Sequence, residues 1–164
     1  MTKGPEEAPV TIIWFSDFQS TLSLKANVLI QDLMQHYPGQ VRVVFKNRPL
    51  ELHPEAVLAH EAAMAAAEQA KFWEMHDLIL ANQKAMKRGD FISYARRLGL
   101  DSEKFVAALD KRTYRPVVEK DVTEARRREV RGTPVFLVNG NRIDGIQLCL
   151  YLKKLLKTSS TERK

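Results

Sequence analysis

Ser20 and Ser23 stand three residues apart where an apolar run gives way to a helix. Residues 10–15 alternate β-branched and aromatic side chains as a buried strand does, and Leu22, Ala26, Leu29 and Leu33 then recur at helical spacing. The joint between the two periods falls near Ser20. A helix N-terminus carries unpaired N–H groups and partial positive charge, which stabilise an anion or a thiolate placed there. A serine hydroxyl stays protonated near neutral pH, forms no S–S bond and offers no two-electron couple. It supplies a hydrogen-bonding oxygen instead. Ser20 suits the N-cap, a position worth about 1 kcal/mol over alanine, and Ser23 can donate or accept within the first turn. Asp17, the one acidic residue beside this terminus, either orients the turn or faces solvent.

Other reactive side chains are few. The chain has one cysteine, Cys149, which excludes an internal disulfide. It shares a helix face with Leu152 and Leu156 and is expected to be a buried, inert thiol. His36, His53, His60 and His76 lack metal-ligand spacing, and His60 and His76 fall on apolar helix faces as hydrogen-bonded core or rim residues. No metal is expected. Phosphate-loop, dinucleotide, His-Glu-x-x-His and Gly-x-Ser-x-Gly patterns do not occur.

The elements that must position these residues read as a mixed α/β domain. Its 164 residues, 45% of them hydrophobic, suit one core, and no apolar run approaches the roughly 20 residues of a bilayer span. A strand at 10–15, a helix from Ser20 to about 37 stopped by Pro38-Gly39, and a strand at 41–45 make a βαβ unit with parallel strands. Residues 55–110 are helical throughout and rich in alanine, which predicts closely packed helices, with Asp101 capping the last. Pro116 opens a further helix reaching about residue 130. Strands at 135–138 and 142–144 are joined through Asn139-Gly140, a strong hairpin signal, and a helix at 146–157 precedes a polar tail at 158–164.

Charge is uneven. The net charge is +6, and residues 111–164 hold 14 Lys/Arg against 6 Asp/Glu. Arg126, Arg127, Arg128 and Arg131 fall at a predicted helix C-terminus, where cations complement the macrodipole. No aromatic residues are interleaved for base stacking, so nucleic acid is not the expected partner.

Ser-Asp-Phe-Gln at 16–19, after a strand opening Ala-Pro-Val-Thr-Ile, resembles the DsbA-like thioredoxin-fold thiol-disulfide oxidoreductases. In that family Cys-x-x-Cys follows; here the four residues are Ser20-Thr21-Leu22-Ser23. Lys71-Phe72-Trp73-Glu74-Met75-His76-Asp77 is similar to the family's inserted helical domain, and Thr133-Pro134 resembles its cis-proline loop. The resemblance implies a single DsbA-like unit over 1–164, with thioredoxin-fold halves at 8–50 and 113–158 and a helical insert at 54–110. It implies catalytic positions at Ser20 and Ser23 and substrate contacts at Thr133, Pro134, Thr21 and Leu22, with the backbone of Thr133 able to pair with an extended polypeptide.

Without either sulfur, disulfide exchange is abolished, and a protein- or peptide-binding role remains. Two alternatives stay open. The cysteines of an oxidoreductase or isomerase were replaced by design, or Ser20 holds a glutathione thiolate as in the kappa-class glutathione transferases, which share the DsbA-like fold. No other cofactor is implied. Residues 1–10 lack the apolar core of a signal peptide, which leaves open a cytoplasmic protein or a mature segment of a longer precursor; the family is usually exported, so the resemblance implies the second, with an extracytoplasmic or periplasmic location.

Overall fold

The computed structural model describes residues 1–143 and 145–161. Its elements run β1 (Thr2–Lys3), β2 (Val10–Ser16), α1 (Thr21–His36), β3 (Val41–Asn47), α2 (Ala56–Ala67), α3 (Phe72–Ala81), α4 (Arg88–Arg97), α5 (Ser102–Asp110), α6 (Arg115–Arg127), β4 (Val135–Val138), β5 (Asn141–Ile143) and α7 (Gly145–Thr161). The strands form one sheet in the order β1-β3-β2-β4-β5. β2 and β3 are parallel, Val10 beside Val41, as a βαβ crossover requires. β4 returns antiparallel to β2 with Phe15 opposite Val135. This is the thioredoxin arrangement, with the helices α2 to α5 inserted between β3 and α6.

The pleat sorts β2 into two cores. Ile12 and Trp14 face the main core with Val43, Phe45, Phe136 and Val138, where Ile30 and Leu33 of α1, Phe72 and Ile79 of α3, and Leu148 and Leu152 of α7 join them. Phe15 faces the other way, against Ala125, Val130, Val135 and Leu137. The alanines of α2 do what their number suggested: Ala56, Ala59, Ala62, Ala63, Ala65 and Ala66 are all buried, so this helix runs enclosed by its neighbours.

Several expectations shift by a turn or less. The strand β1 carries no periodic signal at two residues, and it forms because Thr2 and Lys3 pair with Val44 and Val43. Gly4 makes the entry possible: at φ +94, a Cβ there would lie 2.3 Å from the Val41 carbonyl oxygen. The helix α6 starts at Arg115, one residue before Pro116, and stops at Arg127 rather than near 130. The stop is a Schellman turn. Glu129 takes the left-handed conformation at φ 56, Val130 N–H bonds the Ala125 carbonyl at 2.9 Å, and the Val130 side chain drops into the second core. Asn139 and Gly140, at φ 46 and 86, turn the β4–β5 hairpin, and the expected strand end at Asp144 lies outside the described residues. The helix α7 extends to Thr161, since nothing in Thr158-Ser159-Ser160-Thr161 stops a helix as Gly or Pro would. The rest of the expected tail, 162–164, is outside the described residues. Cys149 is half-buried, because the inward face of α7 is Leu148, Leu152 and Leu156 and the cysteine lies at its edge.

Candidate functional site

The turn between β2 and α1 is built around a carboxylate. Asp17 is fully buried, and its Oδ1 accepts the Gln19 N–H at 2.7 Å. Its Oδ2 accepts the Leu50 N–H at 2.7 Å and meets His53 Nδ1 at 2.8 Å. The Gln19 side chain adds a bond from the Glu55 N–H at 3.0 Å. The segment after β3 is thereby tied to the turn that leads into α1, and the backbone Arg48 N–H to Ser16 carbonyl bond at 2.9 Å starts the same seam. Of the two roles open to Asp17, solvation is excluded and positioning stands. Its partners lie 33 and 36 residues away, and no local pattern announces them.

Ser20 and Ser23 divide the capping work differently from the expectation. Ser20 is the N-cap residue with extended backbone, φ −78 and ψ 124, but its side chain makes no capping hydrogen bond. Ser23, fully buried, reaches back from the first turn and accepts the Asp17 N–H at 3.2 Å. The second serine thus pins the turn that precedes the helix, while α1 itself has no side-chain cap bond. The reason lies in the geometry of the preceding turn, in which Ser20 N–H bonds the Asp17 carbonyl at 3.1 Å and brings the Asp17 amide over the helix end. From the inserted helices, Gln83 Nε2 donates to the carbonyls of both Phe18 and Ser20, each at 2.8 Å, clamping the turn from the other side. Thr21 is exposed and Leu22 is 54% exposed, so the two residues between the serines face outward.

The Thr133–Pro134 peptide bond is cis, and Thr133 and Pro134 are half-buried. Because Phe15 pairs with Val135, the cis peptide and the turn into Ser20 emerge at the same end of the sheet. The register brings together Ser20, Thr21, Leu22, Ser23, Thr133 and Pro134 at one end of the fold. Thr133 has no backbone hydrogen bond to the described residues, and its buried Oγ1 is also unpaired.

The flank of this site is a cleft of about 600 Å³ between residues 48–52 and the C-terminal end of α6, reaching Arg131. Arg48 is fixed in its wall, with Nε donating to the Val130 carbonyl at 3.2 Å and Nη1 to the Pro49 carbonyl at 3.1 Å. Burial, together with the neighbouring Arg126, pulls the Arg48 pKa below the ordinary arginine value. Between β3 and α6, Lys46 pairs with Asp121 at 3.1 Å and Glu124 at 2.9 Å. Burial alone would lower its pKa, but these two carboxylates outweigh burial and hold it above the usual lysine range.

The histidines behave less simply than expected. His60 and His76 are fully buried and each uses Nδ1, toward Asn47 Oδ1 at 2.8 Å and Asp77 Oδ1 at 2.9 Å, while neither Nε2 has a partner among the described residues. They are half-satisfied, because Phe18, Phe45 and Phe72 around them carry no polar atom and the one polar ring atom nearby, the Trp14 indole N–H, bonds to neither. Among the described residues no group of three His, Cys, Asp or Glu side chains converges as a metal site.

What the arrangement can do follows from its atoms. A positive helix end and a cis-proline peptide lie at the same end of the sheet, and no sulfur is present at either. Cys149, the only cysteine, sits on α7. The site offers hydrogen-bonding groups and apolar surface, and no electron-transferring group.

A family model described as Thioredoxin matches residues 1–158. A curated relative from Salinispora tropica, named Na(+)/H(+) antiporter NhaA 3, is 43% identical over 144 residues, covering 87% of this chain and 22% of that protein. The chain thus corresponds to about a fifth of the relative's length. Among solved structures, BdbD from Bacillus subtilis in its oxidised form superposes with a TM-score of 0.83 at 24% identity, covering 95% of this chain and 92% of that one. The thiol-disulfide exchange protein alpha-DsbA2 from Wolbachia pipientis gives a TM-score of 0.80 at 18% identity, covering 94% and 86%.

Proposed function

The chain belongs to the thioredoxin family and has a DsbA-like fold, and from that premise we propose that it is a redox-silent member that binds polypeptide beside Thr133 and Pro134. The observation that carries this reading is the replacement of sulfur by oxygen at Ser20 and Ser23 on a framework whose other parts are in place. The helix α1 begins directly after Ser20, and the cis peptide stands at the same end of the sheet. A thiolate at this terminus would attack a disulfide, and a second thiol three residues on would resolve the mixed disulfide. Neither step exists for a hydroxyl. Strand addition needs no sulfur, only a backbone with free N–H and C=O groups and room for side chains, and Thr133 meets the first condition. The exposed Leu22 and Leu52 supply apolar surface around it.

Titration of the ¹⁵N-labelled chain with an unfolded, cysteine-free polypeptide tests this directly. Amide shifts that include residues 131–135 and stay within 20–23, 131–135 and the adjoining cleft residues 48–52 and 126–130 support the reading. Shifts elsewhere, or none at millimolar polypeptide, retire it. The family resemblance carries the further proposal of an extracytoplasmic location, and among the described residues no helix is long and apolar enough to cross a membrane.

A second reading is favoured by the relatives. The 43% identical protein is named a Na(+)/H(+) antiporter, of which the matching segment is 22%. On this reading the module serves as an appended or docking domain of a membrane ion exchanger. Sodium-dependent proton flux in vesicles holding such an antiporter, measured with and without the module, decides it. Identical flux sinks this second reading.

A further inference from the structure

The cleft beside the cis peptide has a charge arrangement that binding of polypeptide in general does not require. Three arginines, Arg48, Arg126 and Arg131, line it together with Glu51 and Glu129. The carboxylates do little to neutralise the arginines. Arg126 reaches Glu51 only at 3.7 Å, with both side chains largely exposed, and such a contact contributes little. Arg48 donates to two neutral carbonyls and has no carboxylate within ion-pair distance among the described residues. Arg131 has no hydrogen bond or ion pair among the described residues. Like charges thus face one another across the opening, and the fold holds Arg48 there, half-buried, by bonding it to the Val130 carbonyl.

Position matters as much as charge. Arg131 is two residues before Thr133, whose unpaired backbone is where an extended chain would join. In an extended strand two residues span roughly 6.6 Å, so a chain paired at Thr133 carries its next side chains into the mouth of the cleft. Leu50 and the exposed Leu52 give that mouth an apolar lip.

We propose that this cleft selects acidic polypeptide segments, with Asp or Glu carboxylates taken by Arg48, Arg126 and Arg131 and an apolar side chain seated against Leu50 and Leu52. The inference rests on the preceding reading, that polypeptide pairs with Thr133. Guanidinium and carboxylate match as planar, bidentate partners, which three arginines at one opening favour over a single point charge. A bound carboxylate also relieves the repulsion between Arg48 and Arg126.

The test uses fluorescence anisotropy with three labelled dodecapeptides of one sequence, carrying Glu, Gln or Lys at the same four positions around a central leucine. A single-stranded oligothymidylate serves as the alternative polyanion. The Glu peptide should bind at least tenfold more tightly than the Gln peptide in low salt, and the gap should narrow in high salt. Arg126→Glu and Arg131→Glu, both exposed positions, should each erase most of that gap while the circular dichroism stays native. Equal affinity for Glu and Gln peptides overturns the acidic preference but leaves polypeptide binding standing. No binding by any peptide overturns both. Tighter binding of the oligothymidylate than of the Glu peptide, lost in Arg131→Glu, overturns the assignment of a protein partner.

Discussion

Acidification should unfold this protein through two imidazoles whose second nitrogen has no partner. His60 and His76 are fully buried among Trp14, Phe18, Phe45 and Phe72. Burial, reinforced by the neighbouring His76, pushes the His60 pKa down to about 3. Burial lowers His76 as well, against the opposing pull of Asp77. A folded pKa below the unfolded one means that the unfolded chain takes up a proton that the native chain refuses. Stability is then whole above about pH 6.5 and is lost as the pH falls toward the folded value. Each such proton is worth about 1.4 kcal/mol per pH unit, so lowering the pH from about 6.5 to about 5 removes roughly 2 kcal/mol through His60 alone. His76 adds to this in the same direction. Urea unfolding read by tryptophan fluorescence is the assay, and Trp14 and Trp73 are suitable reporters, their rings lying 5.4 and 5.2 Å from that of His76. The unfolding midpoint should fall steadily between about pH 7 and about pH 5, and His60→Gln should flatten the slope by one proton. A midpoint that does not move over that range, or a His60→Gln slope equal to that of the parent chain, refutes the reasoning.

Three further outcomes follow from the site and its supports. Asp17→Ala removes the common acceptor of the Gln19 and Leu50 amides and the partner of His53, and should cost about 3 kcal/mol or more, with loss of exchange protection at the Leu50 amide. Ser23→Ala should cost about 1–2 kcal/mol by leaving the Asp17 N–H unmet, whereas Ser20→Ala, whose oxygen makes no cap bond, should cost under about 0.5 kcal/mol; chemical denaturation of the two variants checks the order. Arg112→Ala strands Glu61, which is 1% exposed and held by two bonds at 2.6 and 2.7 Å, and should destabilise by about 3–5 kcal/mol in the same measurement.

Local signals carried most of the fold. The change from period 2 to period 3.6 near Ser20 marked the β2–α1 joint, Asn139-Gly140 marked the hairpin, and Asp101 capped α5 by accepting the Lys104 N–H at 3.0 Å. Each of these rests on interactions within a few residues. What escaped was set by distant partners. Nothing near Asp17 points to Leu50 or His53, and nothing near Arg48 points to the Val130 carbonyl 82 residues on. The early end of α6 escaped as well, because it depends on Glu129 tolerating a left-handed backbone so that Val130 can be buried. The serine pair was legible as the joint between β2 and α1. The division of labour within the pair was not, since it depends on how the turn folds the Asp17 amide over the helix end.

The claim on which the rest depends is that this terminus holds oxygen and does no electron transfer. Reduction of insulin disulfides in the presence of dithiothreitol, followed by turbidity, tests it most directly. The chain should leave the uncatalysed rate unchanged. Ser20→Cys with Ser23→Cys should raise it, since residues three apart in one tight turn, with Ser23 N–H already bonded to the Ser20 carbonyl at 3.0 Å, lie within disulfide reach. Turnover by the unmodified chain above background, persisting after Cys149→Ser, would contradict the account.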